Sequence, residues 1–227
     1  MSNTGVKTLV DKSHHDFQNY FGTTNDVASV GEITDLTLKS ATSMSITYQK
    51  PQDGMSVFVK IWSGLIIDLN KAPIFSQQLN SYSGTVDVNT PALNLLKGTY
   101  TVAITSDDNL VIAATQSILN GQNVQAGSSS LFVIAKNLNS INTVFNMPAN
   151  VSGRQTITWI ILYEGSNLGK GNRIATQTIT PDLNSGLVQV AFPAGTLKEG
   201  QTYNVVLNPG HSTQYITAGY VFKYTLQ

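Results

Sequence analysis

The sequence predicts an all-β protein built as two tandem sandwiches behind an N-terminal arm. Three observations predict it. Apolar residues alternate with period two along much of the chain, clusters of Gly, Asn, Asp and Pro punctuate those runs, and one ordered set of landmarks occurs twice.

The alternating runs come first. Met44, Ile46 and Tyr48 fall on one face of a strand, as do Val57, Val59 and Ile61. Tyr100, Val102 and Ile104 share another face, and Tyr203, Val205 and Leu207 a fourth. At the C-terminus Tyr220, Phe222, Tyr224 and Leu226 alternate with Val221, Lys223 and Thr225. Each run is half-buried by this pattern, as strands of an antiparallel sheet with one covered face must be.

The repeat comes next. SGTVDVNTPA at 83–92 aligns without a gap on SGLVQVAFPA at 185–194, keeping Ser-Gly, two valines and Pro-Ala. Seven residues after each proline stands a glycine, Gly98 or Gly200, followed by Tyr100 or Tyr203. Upstream, each copy holds one of the two tryptophans in an apolar run, Trp62 in SVFVKIWSG and Trp159 in TITWIILYEG. The segment LNGQNVQAGSSS at 119–130 is rich in Gly, Ser, Asn and Gln and reads as a linker. The expected organisation is an arm over 1–32, a first sandwich over 33–118, a linker over 119–130 and a second sandwich over 131–227.

Leu197-Lys198-Glu199-Gly200-Gln201-Thr202-Tyr203 resembles the tyrosine corner of Greek-key sandwiches, in the Leu-x-x-Gly-x-x-Tyr form of fibronectin type III and related immunoglobulin-like domains. The first copy keeps Leu95 and Gly98 but shortens the last interval to Gly98-Thr99-Tyr100. The resemblance implies two tandem immunoglobulin-like or fibronectin type III-like sandwiches. It also implies tyrosine hydroxyls bonded to backbone upstream, glycines in left-handed or close-approach positions, and a core tryptophan on an early strand of each copy. The fold serves adhesion, receptor binding and virion structure alike, so it implies no single activity.

The arm carries Val6, Leu9, Val10, Phe17, Tyr20 and Phe21 at spacings that fit one face of a helix, with Asn3 or Thr4 as its cap and Gly22 at its end. A helix of this length is marginal alone in water and needs a surface to lie on. The candidates are its own first sandwich, a neighbouring subunit, or a membrane surface. The last has little support, because Lys7 and Lys12 are offset by Asp11 and Asp16.

Composition narrows the partners. The 227 residues include 13 Lys plus Arg and 13 Asp plus Glu, a net charge of zero, so nucleic acid and anionic membranes find no electrostatic footing. Charged residues are only 11% of the chain, whereas Ser, Thr, Asn and Gln together number 80. A polar surface with few charges offers little repulsion against self-association. Apolar residues make up 41%, enough for a core. The chain has no cysteine, which removes disulfides and thiol chemistry. No run reaches the length of a membrane span, and MSNTGVKTLV carries no apolar stretch of signal-peptide length; export would then use another route, or the protein would sit on a particle.

Candidate chemistry is sparse. His14-His15-Asp16 is the densest set of catalytic residue types, but adjacent helical histidines point about 100° apart and do not converge on a metal. Ser106-Asp107-Asp108-Asn109 lacks the spacing of a calcium loop and reads as a turn. GSNLGKGN at 165–172 matches no phosphate-binding motif. Asn150-Val151-Ser152 is a glycosylation sequon. Tyr82, Tyr163, Tyr215 and Tyr220 are candidate contacts to a neutral glycan, beside abundant amides. No cofactor and no catalytic residue is assigned. The expected function is a non-catalytic structural or interaction subunit that self-associates or binds a protein through its arm, with glycan binding as the alternative.

Overall fold

The computed structural model describes residues 27–51, 56–106, 111–152, 158–165, 168, 170–179, 183–209 and 216–225. Ten strands form in the first half of the described chain: β1 (Val27–Val30), β2 (Glu32–Leu38), β3 (Ser43–Gln49), β4 (Val57–Ser63), β5 (Ile67–Asp68), β6 (Phe75–Leu79), β7 (Ser83–Asn89), β8 (Thr99–Thr105), β9 (Ile112–Leu119) and β10 (Gln122–Ser128). The second half gives β11 (Ser130–Lys136), β12 (Ser140–Asn146), β13 (Val151–Ser152), β14 (Thr158–Glu164), β15 (Arg173–Ile179), β16 (Ser185–Ala191), β17 (Thr202–Pro209) and β18 (Ala218–Lys223).

The sheets repeat one order. In the first sandwich β2-β3-β7 faces β10-β9-β8-β4-β6; in the second β11-β12-β16 faces β1-β18-β17-β14-β15. Lettering each sandwich by chain order, this is A-B-E against C′-C-F-G, the antiparallel Greek-key arrangement of fibronectin type III-like sandwiches, with one further strand beyond G. The alternating apolar residues fill the two interiors. Met44, Ile46, Val59, Ile61, Val102 and Ile104 are fully buried in the first, and Leu131, Ile141, Ile160, Leu162, Val205, Leu207 and Phe222 in the second. Fully burying each such side chain stabilises by roughly 1.5–3 kcal/mol.

The further strands tie the halves together reciprocally. β10 pairs with β9 of the first sandwich and, after the single residue Ser129, enters β11 of the second. β1 pairs with β18 of the second sandwich and, after the single residue Gly31, enters β2 of the first. The backbone bonds correspond: Ser129 N donates to Ala113 O at 2.7 Å and Gly31 N to Thr217 O at 3.4 Å. At this crossover Gly31 packs tightly on the first sandwich: a Cβ there would lie 2.6 Å from Ala113 Cβ and 2.8 Å from Pro51 Cγ.

Three sequence expectations are corrected here. Residues 119–130 are not a linker: Asn120 (φ 49°) and Gly121 (φ 80°) make a two-residue turn with both residues left-handed, and β10 follows it. The composition reads as linker because most of β10 is exposed. Residues 27–30 at the end of the expected arm are the strand β1. The tryptophans do not correspond. Ser63 pairs with Tyr100 and Glu164 with Tyr203, so Trp62 matches Tyr163 and Trp159 matches Phe58. Neither tryptophan belongs to its own sandwich interior. Trp62 clusters with Ile67, Ala103, Ile112 and Val151, which includes a residue of the other half. Trp159 packs, with Ile161, Tyr163, Val206 and Ile216, into the cluster continuous with the first sandwich's core.

The contact between sandwiches also carries polar groups. β5 and β13 pair in parallel, Ile67 with Val151 and Asp68 with Ser152. Beside this bridge Asn150 is 4% exposed; it accepts from Thr115 Oγ1 at 2.7 Å and donates from Nδ2 to Ser117 Oγ at 3.1 Å. Ser117 Oγ is also 3.1 Å from Thr101 Oγ1. These hydroxyls lie on the outer face of β8 and β9, where alternation alone reads as solvent. The sequon asparagine is therefore occupied in the fold and closed to a glycan.

Candidate interaction surfaces

The structure places the corner residues where two sheets meet. Tyr203 Oη accepts from Lys198 N at 2.8 Å, and Gly200 ahead of it has φ +77°. Tyr100 Oη accepts from Asn94 N at 3.3 Å. Its ring occupies the space a Cβ at Gly98 would take, so this glycine is required by close approach rather than by its dihedral. The two corners thus use the two different properties of glycine.

The candidate glycan residues do not form a platform among the described residues. Tyr163 is fully buried between the sandwiches, which corrects its reading as a surface contact. Its hydroxyl has no hydrogen-bond partner among the described residues, and burial raises its pKa, an effect that Arg173 partly opposes. Tyr220 is half-buried with its ring edge-on to Phe132, centroids 6.2 Å apart. Tyr82 is 37% exposed on the first sandwich, accepting from Gln49 Nε2 at 3.3 Å. Tyr215 lies outside the described residues, as do the arm residues Val6, Leu9, Val10, Phe17, Tyr20 and Phe21, the His14-His15-Asp16 set and Asp107, Asp108 and Asn109.

Among the described residues no three His, Asp or Glu side chains are grouped to hold a metal ion. No described helix is long and apolar enough to cross a membrane. What the fold does present is a difference between two equivalent faces. On the outer side of β2-β3-β7, Asp35, Thr47 and Thr85 are paired in register across the strands, with Thr34 in the bulge beside Asp35. Thr47 Oγ1 lies 3.0 Å from Thr85 Oγ1, and Thr34 Oγ1 donates to Thr47 O. Nearby Lys39 Nζ meets Asp87 Oδ1 at 2.7 Å, and that bond, with a second from Ser45, holds the Asp87 carboxyl below the usual carboxylate range. On β11-β12-β16 the row at the same place is Phe132, Val144 and Leu187, paired in register. Leu187 is 64% exposed, and Phe132 and Val144 are half-buried. Sequence reading missed this row because each residue occupies the polar phase of its own strand; only the pairing register assembles them.

No protein-family model and no curated protein matches the sequence. Among solved structures the chain is similar to a two-domain fibronectin type III segment of chicken tenascin, at 13% identity over 87% of this chain and 99% of that one, with a TM-score of 0.28. It is similar to the central fibronectin-III array of RIM-binding protein, at 11% identity over 91% and 71% of the two chains, with a TM-score of 0.28. A third is the FN1-FN3 domains of chicken CNTN1, at 7% identity over 87% and 68%, with a TM-score of 0.29.

Proposed function

We propose that this chain is a non-catalytic structural or interaction subunit, in which a closed pair of sandwiches displays residues 1–26 for packing on a neighbouring copy. The observation that carries the reading is the reciprocal strand exchange. β1 is held on β18 as the edge strand of its sheet while β2 continues into the first sandwich, so Val27–Val30 belong to the body and residues 1–26 are attached at its edge strand. Those residues hold six large apolar side chains, a set costly to leave in water. A surface with 11% charged residues favours such association by offering little repulsion.

The experiment compares the full chain with one beginning at Val27, which keeps β1. Light scattering after size exclusion gives each solution mass. The reading expects a defined oligomer of the 24.4 kDa full chain and a folded monomer of the shorter one. Two folded monomers would overturn it.

A further inference from the structure

We infer that the row Phe132–Val144–Leu187 on the outer face of β11-β12-β16 is the seat for the N-terminal arm of a second copy. The inference rests on the proposed arm-driven assembly and names its acceptor. The first support is the contrast between equivalent faces. Where the first sandwich has Asp35 and two threonines whose hydroxyls are in contact, the second has three apolar side chains at the same register positions. Each row crosses the corresponding three-stranded sheet of its own sandwich, so the sheet order itself does not require the apolar one.

Size selects a segment over a whole sandwich. Three side chains expose at most a few hundred Å², against about 800 Å² per partner in a stable face-to-face pair. Length fits the arm. The outer members of the row are two strand spacings apart, about 10 Å, and seven residues of helix rise about 10.5 Å, the separation from Val10 to Phe17. Charge fits as well. Asn142 and Gln189 pair beside the row, and Asn146 and Ser185 pair on its other side, all uncharged. The arm's Lys7 and Lys12 balance Asp11 and Asp16. The equivalent face of the first sandwich carries Asp35 and the Lys39–Asp87 ion pair, and so disfavours an apolar segment. Position agrees too: β1, where the arm ends, packs along β11 of the same chain, the first strand of the acceptor sheet, so attachment point and seat lie close together and two copies related by a two-fold axis exchange arms over a short span.

The test uses the full chain with Val144→Thr and Leu187→Thr together, which writes the first sandwich's own residues into the second, and separately Leu187→Asp. Phe132 is kept because its ring contacts Tyr220. Solution mass by light scattering is read beside the chain beginning at Val27, with folding checked by circular dichroism. The expected result is an oligomeric parent and folded monomers for the shorter chain and both variants. If the parent assembles, the shorter chain is a monomer and both variants still assemble, the arm reading stands and this seat is wrong. If the shorter chain assembles while the variants do not, the row joins copies without the arm, which overturns the arm as occupant. A monomeric parent overturns the assembly reading and this inference with it.

Discussion

Replacing Asn150 by Ala tests how the two sandwiches are joined. Asn150 is 4% exposed and makes two side-chain bonds across the contact, from Thr115 Oγ1 at 2.7 Å and to Ser117 Oγ at 3.1 Å. Each bond contributes about 1 kcal/mol net, and the Thr115 hydroxyl would lose its acceptor in a buried place, so Asn150→Ala should cost roughly 2–4 kcal/mol. Ser117 keeps its contacts with Thr101 and Leu65 O and adds little to the loss. Urea denaturation followed by tryptophan fluorescence reads this directly, because Trp62 and Trp159 both sit toward the contact. With a slope of about 2–3 kcal/mol per molar, the midpoint falls by about 1 M in a single transition. Thr115→Val in the Asn150→Ala background should recover part of the loss, since the orphaned hydroxyl is gone. A midpoint within error of the parent, or two separate transitions in the parent, would refute the reasoning.

Other substitutions test the corners, the crossover and the buried phenol. Tyr203→Phe removes the 2.8 Å bond from Lys198 N and should cost about 1–2 kcal/mol; Tyr100→Phe removes a 3.3 Å bond at a more exposed site and should cost less, both by thermal denaturation. Gly31→Ala forces a Cβ against Ala113 and Pro51 and should destabilise by about 1–3 kcal/mol in urea. Tyr163→Phe removes a buried hydroxyl with no partner among the described residues and should be neutral or stabilising by up to about 1 kcal/mol. Its pH dependence has a definite sign. Burial holds the folded phenol neutral above its ordinary value near 10, so the parent loses stability as pH rises past about 10, and Tyr163→Phe flattens that loss.

Much of the architecture is legible in the residues because it is local. The Ser-Gly…Pro-Ala repeat marks β7 and β16, and each corner glycine and tyrosine falls at the head of a late strand. The Asn120-Gly121 turn was equally readable as a hairpin signal, but the polar residues around it resemble a linker. What alternation cannot express is a second covered face. Thr101, Thr115 and Ser117 occupy the polar phase of their strands and yet are buried, because the other sandwich lies on them. The same limit set Tyr163 among the surface aromatics and paired Trp62 with Trp159. The apolar row depends on cross-strand register, which spans residues 132, 144 and 187 and leaves no mark in any one segment.

Small-angle scattering of the chain from Val27 onward tests most directly that the strand exchange closes two sandwiches into one body. A single compact body of this length has a radius of gyration of about 17 Å. Two sandwiches of about 13 Å each, strung end to end, would exceed about 21 Å. The account predicts the smaller value, and the larger one would contradict it.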